Sequence, residues 1–180
     1  MSLSDDQLIT YARDALSAGD REAMLGAYNL LRSTTDPGTQ LLACDLAIGI
    51  ADLSTLTVRM IAALDADPGD PAGVLDTLFA DLAVADLARL VEASALLDAA
   101  DDAITADPEH YTFIAFGLIA AAADDAGGAG NLNPPPGGSD AATYAVQVAV
   151  YLDTAATMLT ADGISTELLE GFGGAIGWTP

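Results

Sequence analysis

The sequence has no lysine, one histidine (His110), one cysteine (Cys44), one tryptophan (Trp178) and five arginines, against 27 acidic residues. Without lysine, Schiff-base catalysis, P-loop phosphate binding and the standard kinase residue set are excluded. A single histidine excludes two-histidine zinc sites, HExxH proteases and di-iron centres built on paired Glu-x-x-His motifs. A single cysteine excludes an intrachain disulfide, so a reducing compartment is expected and Cys44 reads as a buried structural thiol. The longest strongly apolar run free of charge, Tyr111 to Ala123, has 13 residues, whereas a membrane-spanning helix needs about 20. It reads as a core helix, and no membrane association is expected. Met1-Ser2-Leu3-Ser4-Asp5-Asp6 has neither a basic nor an apolar stretch of the secretion-signal type, which points to the cytoplasm.

What the chain has in quantity is apolar surface and negative charge. Of its 180 residues 52% are apolar, mean hydropathy is +0.38 and the formal charge is −22. High charge produces disorder only when hydrophobicity is low, so this chain should fold, as one domain over residues 1–180. Aspartate outnumbers glutamate 22 to 5, and Arg13, Arg21, Arg32, Arg59 and Arg89 all precede residue 90, leaving only His110 as a titratable cation afterwards. The 37 alanines and 17 glycines look like GC-rich coding, which ordinarily supplies arginine, so the scarcity of cations reads as selected. Such a field repels nucleic acid and anionic membranes. It suits two settings: molar salt, where the Debye length falls to about 3 Å and where halophilic proteins share this acidic, lysine-poor bias, or a basic partner for which carboxylates act as a docking face or imitate the DNA backbone.

Punctuation along the chain is helical throughout. Ser4-Asp5-Asp6-Gln7 is a capping box ahead of a helix over about residues 5–17, closed by Gly19. Asp20 caps a second helix with Met24, Ala27, Tyr28 and Leu31 on one face. Asp36-Pro37 opens a third, which either runs to Leu64 or breaks near Ser54. Residues 65–71 form a loop. Helical pattern resumes from Ala72 to Ala106 as two helices meeting near 81–86, with Leu87, Leu90, Val91, Ala95 and Leu97 inward and Asp98, Asp101 and Asp102 outward. Asp107-Pro108-Glu109 is the strongest helix start and precedes the 13-residue apolar run, which marks a central helix. A Gly/Pro-rich loop over 126–138 leads to a helix capped by Ser139, on which Tyr144, Val148, Tyr151, Ala155 and Met158 repeat at heptad-like spacing. The tail, 164–180, is glycine-rich and aromatic. The fold class is therefore all-α, a single-domain bundle or short irregular array of six to eight helices.

Motifs for chemistry are sparse. Asp65, Asp67, Asp70 and Asp76 take positions 1, 3, 6 and 12 of a calcium loop, but glycine stands at 5 and aspartate at 6, the reverse of the EF-hand order. Asp98, Asp101 and Asp102 share a helix face but have no basic neighbour to hold a phosphate. Cys44 and His110 lack any nucleophile signature around them, and His110, near a helix N-terminus, is expected to stay neutral. The tail glycines 171, 173, 174 and 177 miss the dinucleotide-loop spacing. Ala103 and Pro108 match two positions of a tetratricopeptide repeat whose remaining positions are not met. Tyr111, Phe113 and Phe116 are either core residues or the walls of a ligand pocket.

These observations lead to the expectation of a non-enzymatic structural or interaction protein with no cofactor, bound to a basic protein or to itself as a homo-oligomer. Asp98, Asp101, Asp102, Phe172, Ile176 and Trp178 are its candidate contact residues. An acidic DNA mimic and a small-ligand carrier are the alternatives.

Overall fold

The computed structural model describes residues 4–67, 69–101, 103–104, 106–166, 169–170, 173–174 and 177–179, apart from the side chains of residues 64, 65 and 71. Eight α-helices, 76% helix in all and no strand among the described residues, make the chain all-α.

Local chemistry sets each boundary. Helix α1 (Asp5–Ala18) begins with the capping box, Ser4 accepting from the Gln7 amide and Gln7 from the Ser4 amide. It ends at Gly19, whose φ of 64° places it in the left-handed region that glycine tolerates. Asp20 caps α2 (Arg21–Leu31), which buries Met24, Ala27, Tyr28 and Leu31. Helix α3 (Pro37–Ile50) starts on Asp36, whose carboxylate accepts from both the hydroxyl and the amide of Thr39 and is thereby held below its ordinary pKa. The open question of the third helix resolves as a break: Asp52 adopts φ 51°, and α4 (Leu53–Ala66) leaves at 53° to α3.

Asp70 caps α5 (Pro71–Phe79), and α6 (Val84–Asp101) follows a short turn. The buried residues of α6 are Asp86, Leu87, Leu90, Ala93, Ser94, Leu96, Leu97 and Ala100. Val91 is half-buried and Ala95 is exposed, a correction to the expected face, because the stripe passes through 93–94 and 97 and leaves 95 on the far side. Helix α7 (Pro108–Ala126) is the hub, packed against α3, α4, α5, α6 and α8 (Asp140–Ala161). It approaches α6 closely at Gly117, where a Cβ would stand 2.8 Å from Leu90 Cδ1. Phe116 meets Phe79 edge-on at 5.4 Å between ring centres. A 3-10 turn (Ala129–Asn131) sits in the loop before α8.

All eight helices contribute to one hydrophobic core. The lone tryptophan joins it: Trp178 is buried, with its ring close against Gly173 and its Nε1 donating to Asp153 on α8 at 2.8 Å. No single described helix is long and apolar enough to cross a membrane. The bent α3–α4 pair reaches that length and composition only jointly.

Candidate functional site

The scarce cations are mostly committed internally. Helices α2 and α6 both pack on α3, and arginines reach between them. Arg21 donates to both oxygens of Asp86 at 2.9 Å and to the Ile50 carbonyl at 3.3 Å, while Arg89 grips Asp86 from its own helix. Asp86 is buried, and the two guanidinium groups supply its partners there. Arg32 meets Glu92 at 3.3 Å, and Arg59 on α4 meets Asp81 at 2.7 Å. Arg13 is exposed and forms no ion pair among the described residues. Negative charge therefore dominates the outer surface.

On the opposite flank of α6 the carboxylates take neutral donors. Tyr151 on α8 sends its hydroxyl to Asp98 at 2.6 Å and lies 3.0 Å from the Ser94 carbonyl. Gln147 donates to both Asp98 and Tyr151 at 2.9 Å. Tyr111 donates to Asp101, and its ring meets that of Tyr151 edge-on. Burial first, then the bonded carboxylate, raises the pKa of both tyrosines, so each stays a donor at neutral pH. Asp98 and Asp101 are exposed but partly committed to these hydroxyls. Asp102, Phe172 and Ile176 lie outside the described residues.

Beside Asp98 the structure shows what the sequence reading passed over. A groove of about 720 Å³ runs along α8, floored by Val146, Val150 and Tyr151 and edged by Asp98 and Asp140. Val146 and Val150, 69% and 57% exposed, lie one helical turn apart. The signal was in the alternation Val146, Val148, Val150: only Val148 belongs to the heptad-like face, and the other two are apolar residues left outside it. In the structure Val148, Tyr151 and Ala155 are buried, and Tyr144 and Met158 half-buried.

The other candidates disperse. Cys44 is buried, donates its thiol to the Ala93 carbonyl and has its pKa pushed up to about 12, mainly by burial. It is a structural thiol. His110 turns to another partner, its Nε2 3.0 Å from Asp45 on α3 but off the hydrogen-bond line, with Nδ1 buried and unbonded. Burial would depress the imidazole pKa, yet Asp45 and then Asp107 raise it overall, so nearby carboxylates override the helix-terminus effect expected from sequence.

Asp70 is used as the cap of α5, Asp76 accepts the Ala129 amide at 2.6 Å, and Asp67 is exposed. The Asp65 side chain lies outside the described residues, among which no three acidic, histidine or cysteine side chains converge on a metal position. Tyr111 and Phe116 are core, and Phe113 packs half-buried against it. Comparison with protein-family models, with curated proteins and with solved structures finds no match to this chain.

Proposed function

We propose that the chain acts by binding a protein, and that the groove on α8 receives a helical segment with an apolar ridge and basic flanks. The observation that carries this reading is the exposed Val146–Val150 pair set between Asp98 and Asp140. Exposed valines one turn apart offer the i, i+4 spacing that a partner helix presents. Carboxylates at the edges select basic flanks, and no cation lines the groove to oppose them. The remaining carboxylates are spread over the whole chain, so total charge governs solubility and encounter while the groove supplies specificity.

The test uses a fluorescein-labelled synthetic helix with leucines four residues apart and lysines on either side, followed by fluorescence anisotropy. Wild-type protein is expected to bind it, and the double variant Val146→Asp, Val150→Asp to lose binding. That variant is more negative than wild type, so simple charge attraction predicts the opposite change. Equal or tighter binding by the variant, or equal binding of a peptide with asparagine in place of leucine, would overturn the proposal.

A further inference from the structure

A cavity of about 380 Å³ lies between α5, α6 and the second half of α7, and it shares no residue with the α8 groove. Much of its wall is apolar: Phe79, Leu87, Ala120 and Ala123 are buried core residues, and Leu82 is half-buried beside them. Asp76 and Asp124 are the charged residues among its described lining. On α7, Ala120, Ala123, Asp124 and Gly127 follow helical spacing along one face, so the wall turns from apolar to acidic toward the C-terminus of that helix. Asp76 joins the acidic end, its Oδ1 accepting the Ala129 amide and its Oδ2 lying 3.3 Å from where a Gly128 Cβ would stand.

A helix C-terminus carries partial negative charge and is ordinarily complemented by a cation in its last turn. Helix α7 ends instead on Asp124 and Asp125, with no basic residue there. Asp125 is used by the Ala141 amide, whereas the Asp124 carboxylate has no hydrogen bond or ion pair among the described residues. The N-terminus of α6 also reaches the cavity, through Val84, but its first turn already holds Asp86. Arg59 and Arg89 are paired with Asp81 and Asp86 and do not line the cavity. We propose that this cavity binds a small organic cation, a primary amine on an apolar body, with the body against Phe79, Leu82 and Leu87 and the ammonium toward Asp76 and Asp124. Its volume lies within the range of small-molecule sites, about 300–1,000 Å³. An ammonium has three donors and no acceptor, which suits a pair of carboxylates at a helix C-terminus. The acidic end rejects carboxylate and phosphate ligands, and the apolar wall favours an amine with a hydrophobic body over a bare inorganic cation. This inference does not rest on the α8 groove.

Isothermal titration calorimetry with 2-phenylethylamine tests it. Wild-type protein is expected to bind this amine saturably, to bind ethylamine at least about tenfold more weakly for want of the apolar body, and to leave 3-phenylpropanoate unbound. Asp124→Asn should weaken binding about tenfold through the loss of a charge-assisted contact. It should not lower stability, because it removes a like charge from a helix C-terminus. Asp162→Asn, an exposed position at the end of α8, should leave binding unchanged. The double variant Val146→Asp, Val150→Asp should also bind the amine as wild type does. No saturable binding, ethylamine binding as tightly as 2-phenylethylamine, or equal affinity in Asp124→Asn and Asp162→Asn would overturn the inference. So would loss of amine binding in the valine double variant, which would place the amine in the α8 groove.

Discussion

Helix α6 has two flanks that hold carboxylates by different chemistry. Toward α2, across α3, its Asp86 and Glu92 meet the guanidinium groups of Arg21 and Arg32. Toward α8, across α7, its Asp98 meets the hydroxyl of Tyr151 and the amide of Gln147. The same substitution of neutral donors for cations recurs beyond α6. Trp178 donates to Asp153, and the backbone amides of Ala129 and Ala141 donate to Asp76 and Asp125. A chain with no lysine and no arginine after residue 89 thus fixes Asp98, Asp125 and Asp153 through donors that need no charge. Bonds from neutral donors to ionised acceptors remain strong, and salt screens them far less than it screens an exposed ion pair.

The largest break in this comparison is expected on the cationic flank. Arg21→Ala leaves the buried Asp86 with Arg89 alone and frees the Ile50 carbonyl. Stability should fall by about 2–3 kcal/mol, since an incompletely paired buried carboxylate carries its desolvation cost into the folded state. Urea denaturation with an unchanged m-value would show it. Adding Asp86→Asn to the variant should recover part of the loss, because the uncompensated charge is then gone.

Tyr151→Phe is the corresponding change on the neutral flank. It removes one hydroxyl from Asp98 and Ser94 while keeping the ring against Tyr111. The expected cost is smaller, about 1–2 kcal/mol, because exposed Asp98 regains water. That cost should be the same in dilute buffer and in molar KCl. A loss that disappears in salt would show that this flank also depends on long-range charge.

His110 stands between the two chemistries, an imidazole beside Asp45 that gains charge as pH falls. Its folded-state pKa is raised above the ordinary 6.5 by Asp45 and Asp107 against the opposing effect of burial. The folded state therefore binds the proton more tightly than the unfolded chain. The resulting stabilisation is complete below the unfolded value and is lost as pH rises through the folded one. Relative to His110→Gln, whose profile lacks this step, wild-type protein should lose stability as pH rises above the ordinary imidazole value of 6.5. A difference between the two that does not vary with pH would assign His110 a purely packing role.

Helix starts, the central helix and most buried helix faces were legible in the sequence because they rest on local rules: Ser4 with Gln7, Asp36 with Pro37, Asp107 with Pro108, and apolar residues at helical spacing. The α3–α4 break was legible only as one of two alternatives. It depends on Asp52 entering the left-handed region, where aspartate is tolerated without being required. The candidate site was legible in kind but not in place. Asp98 and Asp101 stand on the exposed side of α6 as the spacing implies, yet their tyrosine partners come from α8 and α7, through pairings that no short-range pattern encodes. The direction of the His110 shift was missed for the same reason, since Asp45 lies on another helix. Val146 and Val150 were hidden by composition: in a chain that is 52% apolar, two more valines on a helix read as core.

The smallest effect should come from Arg32→Gln, and it sharpens the contrast between exposed and buried pairing on a single flank. Arg32 and Glu92 are both substantially exposed, and Tyr28 also donates to Glu92 at 2.9 Å. An exposed pair with a second donor already in place should cost at most about 0.5 kcal/mol to break. Even that should vanish in molar KCl, whereas the Arg21→Ala loss should largely persist, because Asp86 is buried and buried pairs are screened much less. If the two arginine variants respond alike to salt, burial does not separate the pairs, and the cationic flank acts as one screened surface network. If they differ as expected, Arg21 is the cation the fold depends on and Arg32 mainly offsets surface repulsion.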